Sequence, residues 1–374
     1  MAPTDPPCPP LAEGIPWPPI RRAPRTEATR TEATGWGATD RRARVARDGR
    51  KVSDVRTGKP RGLAAPARGR TGMSAGMLEK TAIVIVTYRR NALLRVLFES
   101  LAGQTRAPAW IVVVDNDGEA GPLVDEIRPS LPETHIEYRH PDRNLGGAGG
   151  FSLGAEMAMA LGAEWLWFMD DDVMLLPDAD ACVERWAAKH RVFIGRRQNC
   201  DGSEFFYQPR FNEFLAVPVP DFGFDFARAD EFFTDVVSFE GCVVHRSIVE
   251  TIGLPDARFF LSWDDIIYGW LAAHHTKVAI VSDFILRRTQ DVPTIRFLGR
   301  HVAKPSHLYI FHFFKNRRIV REYFKAHGKY NPVGFRIGTL VLIGKELYRG
   351  AAAGELFVVS RLIARGLMSR EVTP

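Results

Sequence analysis

Three consecutive aspartates end a run of large apolar residues and are the first candidates for chemistry. Asp170, Asp171 and Asp172 follow the apolar segment 165–169, whose pattern predicts a strand buried on both faces. Because side chains alternate along a strand, we expect Asp170 and Asp172 to converge while Asp171 points away. Two such carboxylates can hold Mg²⁺ or Mn²⁺ and leave positions open for phosphate oxygens. A solvated acidic turn is the alternative, but three adjacent carboxylates repel one another, which favours the metal site.

A glycine-rich segment covers residues 143–151 and precedes a predicted helix at 150–161. Glycines let backbone N–H groups approach a ligand closely, and a helix N-terminus favours anions. A flexible surface loop is the alternative interpretation. The segment is not G-x-G-x-x-G directly after a first strand, and no Gly-Lys-Ser/Thr follows it. These differences disfavour a dinucleotide-binding fold and a P-loop.

Trp263, Asp264 and Asp265 stand where a loop is predicted to enter a helix at 266–273. Either aspartate can serve as a helix cap, and from these residues alone capping is favoured. The functional alternative is a general base beside an aromatic platform, since sugars stack on indole rings and a carboxylate can take a proton from a hydroxyl.

The elements that must position these residues alternate along the chain. Apolar, β-branched runs predict strands at 82–87, 110–114, 136–139 and 165–169, with helices at 92–101 and 150–161 between them. This alternation predicts an α/β fold, a doubly wound, mostly parallel sheet flanked by helices. Ligands of such sheets bind at the carboxyl ends of the strands, where the polar clusters stand. Further on, the pattern predicts loops over 193–235 and strands at 236–245 and 278–281.

Charge is strongly segregated in this chain of 374 residues with a net charge of +6. Residues 1–76 carry 15 basic and 7 acidic residues, 77–285 carry 18 and 32, and 286–374 carry 17 and 5. An acidic middle argues against a nucleic-acid-binding core and suits a divalent cation, whereas a basic end suits an anionic partner. Residues 1–76 are of low complexity with few large apolar residues, so we predict that they are disordered.

The sequence pattern predicts two short amphipathic helices in the basic C-terminal region, at 335–348 and 355–368. No run of eighteen apolar residues exists, so these helices can lie on a bilayer but not span it. We therefore expect a cytoplasmic protein held peripherally at an anionic membrane surface, the inner face of the cell membrane. The alternative is that the helices pack on the core or on another subunit, which would give a homo-oligomer.

The segments RNLGGAGGF, WLWFMDDDV and FFLSWDDIIYGW together resemble the family 2 glycosyltransferases of GT-A fold. The resemblance covers roughly residues 81–286, and it is strongest to bacterial galactofuranosyltransferases of cell-wall polysaccharide synthesis. Bacterial rhamnosyltransferases share much of the pattern. The implied organisation is a disordered extension at 1–76, a GT-A domain at 77–300 and a basic helical region at 301–374.

The resemblance implies a role for each matching residue of this sequence. Asp265 matches the catalytic base, with Asp264 beside it and Trp263 at the acceptor. Asp170 and Asp172 match the ligands of Mn²⁺ or Mg²⁺. The residues matched to nucleotide-sugar binding are Arg89, Asp115, Asn144, Gly146, Gly147, Asp170 and Asp171.

The implied activity is inverting transfer of a sugar, with UDP-galactofuranose as first donor, to a hydroxyl of a polyprenyl-linked glycan acceptor. A dTDP-rhamnose donor is the second choice. The chain departs from the family pattern, since Ile267 and Leu271 replace an acidic and a basic residue, and 283–290 lacks the expected metal-binding His. Asp283, Asp291 or His301 are possible substitutes. These departures keep open a catalytically degenerate module that binds a nucleotide sugar.

Overall fold

The computed structural model describes residues 76–205, 209–221 and 223–370. The segment predicted to be disordered, 1–76, lies outside the described residues except for Gly76.

One large sheet organises the described chain, with helices on both faces. The strands are β1 Thr81–Thr87, β2 Trp110–Asp115, β3 His135–Arg139, β4 Trp165–Asp170, β5 Val173–Leu175, β6 Val192–Gln198, β7 Glu204–Phe205, β8 Pro209–Asn212, β9 Val217–Pro220, β10 Glu231–Thr234, β11 Cys242–His245, β12 Val278–Arg288, β13 Thr294–Phe297 and β14 Arg300–Ala303. The helices are α1 Asn91–Ala102, α2 Gly121–Ile127, α3 Gly146–Ala160, α4 Ala179–Ala187, α5 Arg246–Ile252, α6 Asp264–Ala273, α7 His307–Lys315, α8 Arg317–Ala326, α9 Pro332–Ala352 and α10 Leu356–Met368.

The strand order of the large sheet is β10-β12-β6-β11-β4-β1-β2-β3, with β5 paired to β12 and β7 to β6. Strands β8 and β9 form a separate two-stranded sheet, as do β13 and β14. Strand β1 is parallel to β2 and β4, β2 is parallel to β3, and β6 is parallel to β12. Strand β11 is antiparallel to both of its neighbours, β4 and β6. The predicted α/β class is confirmed. The first four predicted strands along the chain correspond to β1, β2, β3 and β4 and have nearly the predicted bounds.

The prediction of loops over 193–235 is wrong at its start, because β6 lies inside the sheet between β11 and β12. Gly195 and two arginines interrupt its apolar pattern. Gly195 is required by packing, since a Cβ atom there would come within 2.2 Å of the Ile285 side chain. The strand predicted at 236–245 is also shorter than expected, with β11 beginning only at Cys242.

Apolar side chains cover both faces of the sheet. One cluster packs α1, α2 and α4 against one face, and a second packs α3, α5 and α6 against the other. Helix α3 lies unusually close to β1, because a Cβ atom at Gly150 or Gly154 would come within 2.5 Å of Val86 or 2.4 Å of Val84. The glycine run therefore sets how near the N-terminus of α3 lies to the ends of β1 and β4.

A third apolar cluster joins the C-terminal helices to α6. Val359 and Ile363 of α10 are buried in this cluster. This part of the face predicted to lie on a membrane therefore packs on the core, which was the alternative prediction. In contrast, Leu340 and Val341 of α9 are exposed. No helix among the described residues is both long and apolar enough to cross a membrane. The domain division at residue 300 stays a prediction.

Candidate functional site

A cavity of about 330 Å³ opens at the carboxyl end of β4, the position expected for a ligand site in such a sheet. It brings together Asp170, Asp264 and Asp265, which are far apart in sequence, with Gly147 of the glycine loop. Its other polar lining residues are Arg197, Ser238, Glu240, Ser262 and Tyr309.

Asp170 places a carboxylate in this cavity, where Arg90 is a nearby opposite charge. Asp170 itself forms no hydrogen bond or ion pair with any described residue. Burial raises the pKa of Asp170 well above its ordinary value, and the nearby charges of Asp172, Glu240, Asp171 and Asp265 raise it further. A cation would relieve this repulsion, since an opposite charge favours the ionised form.

The neighbouring aspartates are held by β1 and the residues after it. Asp171 is buried and accepts hydrogen bonds from Thr87 Oγ1 at 2.8 Å and Arg90 Nη1 at 3.1 Å. Burial raises the pKa of Asp171 to about 6 against the opposing charge of Arg90. Asp172 also accepts from Arg90 Nη1, at 3.2 Å. Arg90 was missed by the sequence analysis, which singled out Arg89.

The residues around Asp170 fit a divalent cation in part. Asp170 and Asp172 are the hard oxygen ligands that Mg²⁺ and Mn²⁺ prefer. No group of three or more His, Cys, Asp or Glu residues suited to a metal occurs in the described ranges. Asp283 is occupied by Trp186 Nε1, which donates to it at 2.6 Å. Asp172 does not line the cavity and pairs with Arg90 at 3.2 Å, so a metal site at Asp170 and Asp172 stays a prediction.

Thr289 stands close to where the family pattern places its metal-binding His. Its backbone N–H donates to the Asp172 carbonyl at 2.9 Å. Its buried hydroxyl Oγ1 has no hydrogen-bond partner among the described residues. The structure thus puts a threonine, and not a histidine, against the backbone of Asp172.

The segment before α6 turns sharply, and the C-terminal helices hold it. Phe260, Ser262 and Trp263 all have positive φ angles, of 60°, 65° and 75°. Asn316 Nδ2 lies within hydrogen-bond distance of three carbonyl oxygens of this turn, those of Phe259, Leu261 and Ser262, at 2.8–3.1 Å. Sequence reasoning missed Asn316, because nothing in the chain indicates that residues 54–57 positions apart meet.

Trp263 is among the residues that line the cavity, and its indole ring makes several contacts within the protein, while its predicted contact with an acceptor stays a prediction. Its side chain is fully buried, stacks on Phe313 at 4.8 Å and donates from Nε1 to the Phe313 carbonyl at 2.9 Å. The Arg317 guanidinium lies 5.3 Å from the centre of the ring. The indole therefore anchors the turn to α7.

Asp264 and Asp265 occupy the first turn of α6, with Trp263 at the N-cap. Neither aspartate is therefore the N-cap residue, although negative charge is favoured in the first turn of a helix. Burial raises the pKa of Asp265 to about 6, opposed by Arg197. Burial and the charge of Asp265 raise the pKa of Asp264 to about 8. Asp265 is therefore the more readily ionised of the two at neutral pH.

A buried ion-pair group completes the cavity wall and was also missed. Glu240 pairs with Arg197 at 2.5 Å and with Arg288 at 2.9 Å. Arg197 and Arg288 both lie on the Phe205 ring, at 4.8 and 4.7 Å from its centre. The positive charge of Arg197 lowers the pKa of Asp265 and so opposes part of the rise that burial causes.

The remaining predicted site residues do not line this cavity. Asp115 is buried and accepts from the Ala120 N–H at 2.7 Å and Tyr138 Oη at 2.8 Å. Arg89 is exposed, with φ of 58°. Asn144 Oδ1 accepts from the Gly146 N–H at 2.7 Å, so its side chain closes the glycine loop on itself. Nucleotide binding by these three residues stays a prediction.

Two glycines of the loop differ in what they do. Gly146 has φ of +70°, and a Cβ atom there would come within 2.1 Å of the Phe260 carbonyl oxygen, so it locks the loop to the turn before α6. Gly147 has open space around its Cα and lines the cavity. Only Gly147 is thus placed to approach a ligand.

We expect Gly146→Ala to destabilise the protein by about 2–4 kcal/mol, because it combines backbone strain with a steric clash against backbone. Gly147→Ala is the matched control and should change stability by less than about 1 kcal/mol. Urea unfolding of both variants measures the difference. Equal stability of the two variants would show that the loop does not pack on Phe260 as described.

The α/β fold is of the class that the resemblance implied, and comparison with known proteins agrees. The model of the family "Glycosyl transferase family 2" matches residues 82–253. Galactofuranosyltransferase GlfT1 of Mycobacterium tuberculosis H37Rv is 33% identical over 205 residues, covering 51% of this chain and 63% of that protein. The protein of the same name from Mycolicibacterium smegmatis is 32% identical over 208 residues, covering 50% of this chain and 63% of that protein.

Solved structures are similar at a lower level. The structure of GalNAc-T7 with UDP, GalNAc and Mn²⁺ aligns with a TM-score of 0.48 and 14% identity, covering 65% of this chain and 48% of that one. The predicted resemblance is confirmed by the family model and the relatives: the chain is similar to family 2 glycosyltransferases and to mycobacterial galactofuranosyltransferases. The chain spans a little under two thirds of the length of the GlfT1 proteins.

Proposed function

We propose that this protein is an inverting glycosyltransferase that moves galactofuranose from UDP-galactofuranose to a hydroxyl of a lipid-linked glycan. The observation that carries the proposal is the shared cavity, in which Asp170 at the end of β4 faces the same space as Asp265 at the start of α6. In this proposal Asp170 serves the nucleotide-sugar donor, and Asp265 serves the acceptor. The similarity to galactofuranosyltransferases supports the choice of donor.

In the proposed reaction Asp265 accepts the proton of the acceptor hydroxyl. The oxygen forms a bond to the anomeric carbon on the face opposite the nucleotide, the bond from that carbon to the diphosphate oxygen breaks, and the diphosphate leaves with the electron pair. The configuration at the anomeric carbon is therefore inverted. The described cavity lining offers Asp265 as the carboxylate best suited to be the base, since the pKa of Asp264 lies near 8.

Asp170 and Asp172 would hold Mn²⁺ or Mg²⁺, which when bound would neutralise the diphosphate charge. Arg90 pairs with Asp172 at 3.2 Å and would help to position it. The N–H of Gly147 and the N-terminus of α3 add a positive dipole on the same side of the site.

The protein is proposed to work at the inner face of the membrane, where a polyprenyl-linked acceptor is found. The exposed apolar residues of α9, which share one helix face, support this placement: Val333, Ile337, Leu340, Val341 and Tyr348. Thirteen basic residues against three acidic ones in 301–370 favour an anionic surface.

A screen of the purified protein against nucleotide sugars tests the proposal. We expect transfer from UDP-galactofuranose to a synthetic lipid-linked galactan acceptor, seen by mass spectrometry as a product one hexose heavier. UDP-galactopyranose is the matched control for ring form, and dTDP-rhamnose tests the second donor. If the protein binds nucleotides but neither transfers nor hydrolyses any donor, the degenerate module is favoured. The lack of a third metal ligand among the described residues is the observation that supports this alternative.

The pH dependence of the reaction follows from the base. Because burial raises the pKa of Asp265 to about 6, the carboxylate is protonated and inactive below that pH. We expect kcat/KM to fall about tenfold for each pH unit below about 6 and to level off above it. Initial rates across this range at saturating metal measure the profile. A profile that is flat down to about pH 4, the ordinary value for an aspartate, would contradict the proposed base.

A further inference from the structure

The turn that leads into α6 has an unfavourable backbone conformation. Phe260 has φ of 60° and ψ of −55°, and the Leu261 N–H donates to the Phe259 carbonyl at 2.6 Å, which is the form of γ-turn that is rare and strained. Ser262 and Trp263 follow with φ of 65° and 75°. We call these five residues the strained turn. None of them is glycine, and such conformations persist only where surrounding contacts hold them.

One side of the strained turn is held by the glycine loop. The Ala148 N–H, in the first turn of α3, donates to the Phe260 carbonyl at 3.1 Å. The same carbonyl lies against Gly146, where a Cβ atom would come within 2.1 Å of it. This contact accounts for one carbonyl group of the strained turn. The others need partners elsewhere, because an unpaired buried carbonyl group is costly.

Asn316 holds the other side of the strained turn. It is fully buried between α7 and α8, where its backbone N–H donates to the His312 carbonyl at 2.8 Å. Its Nδ2 lies within hydrogen-bond distance of the carbonyl oxygens of Phe259, Leu261 and Ser262, at 2.8, 2.9 and 3.1 Å. Its Oδ1 has no hydrogen-bond partner among the described residues. The side-chain hydrogen bonds that the structure shows for Asn316 therefore all go to the strained turn.

Two further contacts join α7 to the strained turn. His312 stacks on Phe260, with the ring centres 4.7 Å apart, and the Phe313 carbonyl accepts the hydrogen bond from Trp263 Nε1. Both residues lie within four positions of Asn316, so one end of α7 makes all of these contacts. The support of the turn on this side therefore comes from the C-terminal helices.

The strained turn forms part of the wall of the cavity proposed for sugar transfer. Leu261, Ser262 and Trp263 line the cavity, and Asp264 and Asp265 continue directly from them. Because Asp265 lies in the first turn of α6, the direction in which the chain enters that helix determines where its carboxylate points. A displacement of about 1 Å in a reacting group can lower a rate about a hundredfold. The conformation of the turn is therefore expected to matter for catalysis.

We propose that Asn316 is a positioning residue of the transfer reaction, which holds the strained turn so that Asp265 faces the acceptor hydroxyl in the cavity. Asn316 is not among the residues that line the cavity, so it acts through the backbone of the turn. An asparagine suits this role because its amide group has two N–H donors. The carboxylate of an aspartate has none and would repel the carbonyl oxygens. The inference rests on the proposed role of Asp265 as the base.

The test compares Asn316→Asp with the unmodified full chain. We expect kcat to fall about thirtyfold to a hundredfold, because the base is displaced. The affinity for UDP in calorimetry should stay within about threefold, because the change acts on the acceptor side. Should the aspartate variant fail to fold, Asn316→Ser takes its place, since serine keeps one donor and adds no charge.

Asn331→Ala is the control for general weakening of the C-terminal helices. The Asn331 side chain also bonds to backbone, because its Oδ1 accepts from the N–H groups of Val333 and Gly334 at the start of α9. This variant should lower the unfolding midpoint and keep its rate. A loss of rate as large as that of the Asn316 variant would show that stability alone controls turnover, and it would overturn the inference.

A double-variant cycle tests whether Asn316 acts through Asp265. If it does, Asn316→Asp should lower the residual rate of the Asp265→Asn protein by less than about threefold. Losses that multiply fully would overturn the inference. If the unmodified protein transfers sugar and Asn316→Asp turns over normally, the inference alone fails. If the unmodified protein transfers no sugar from any donor, the proposed function fails, and the inference fails with it.

Discussion

Replacing Asp265 with asparagine is expected to lower kcat about a thousandfold while leaving the affinity for the donor nucleotide within about threefold of its original value. The amide keeps the size of the side chain and can still accept the hydrogen bond from the Ile266 N–H, which measures 2.7 Å. It cannot take a proton from the acceptor. Transfer assays give kcat, and calorimetry with UDP gives the donor affinity.

The matched control is Asp180→Asn, which makes the same change in the first turn of another helix, α4. Asp180 is also buried, and its Oδ2 accepts from the Arg106 N–H at 2.8 Å, outside the cavity. The control should retain its rate. Normal turnover by Asp265→Asn would remove this residue from the mechanism, and an equal loss in the control would point to a general effect on folding.

Replacing Asp170 with asparagine is expected to lower the affinity for UDP in the presence of Mn²⁺ by at least about a hundredfold, because a charged ligand is lost. The affinity measured without metal should change little or rise, since a carboxylate near the diphosphate is neutralised. Calorimetry with and without Mn²⁺ separates the two effects.

The same variant is expected to unfold at a higher temperature than the unmodified protein when metal is absent. Burial and four neighbouring carboxylates raise the pKa of Asp170, so its ionised form is unfavourable in the folded state. Asp178→Asn is the control, since Asp178 is exposed, with φ of 62°, a conformation that asparagine also adopts. If UDP affinity is independent of Mn²⁺ in the unmodified protein, the metal proposal fails.

Local patterns were sufficient for the half of the sheet that begins the fold. Each of β1, β2 and β4 is a continuous apolar run because it is buried on both faces, and such runs are visible without any tertiary information. The second half of the sheet was harder to predict. Strand β6 contains a glycine and two arginines, and its arginines are acceptable only because Glu240, Glu204 and the Phe205 ring lie against them.

The candidate site divides in the same way. Asp170 was predicted from three adjacent carboxylates after a buried strand, whereas Asp264 and Asp265 were implied by the family resemblance; the structure puts all three in one cavity. Gly146 and Asn144 were predicted as ligand contacts, yet the contacts seen for them are to the protein, with Phe260 and with each other. A sequence shows which residues are unusual, but it does not distinguish a glycine that approaches a ligand from one that approaches a carbonyl.

By itself, the sequence determined the α/β class, the acidic strand end and the family resemblance. Each of these depends on short, contiguous patterns of apolar and charged residues. Tertiary structure alone decided that Trp263 is an anchor, that Asn316 holds the turn before α6, and that Glu240 stands between two arginines in the cavity wall. These are contacts between residues tens of positions apart. They depend on how helices pack on the sheet, and such packing leaves no local pattern in the chain.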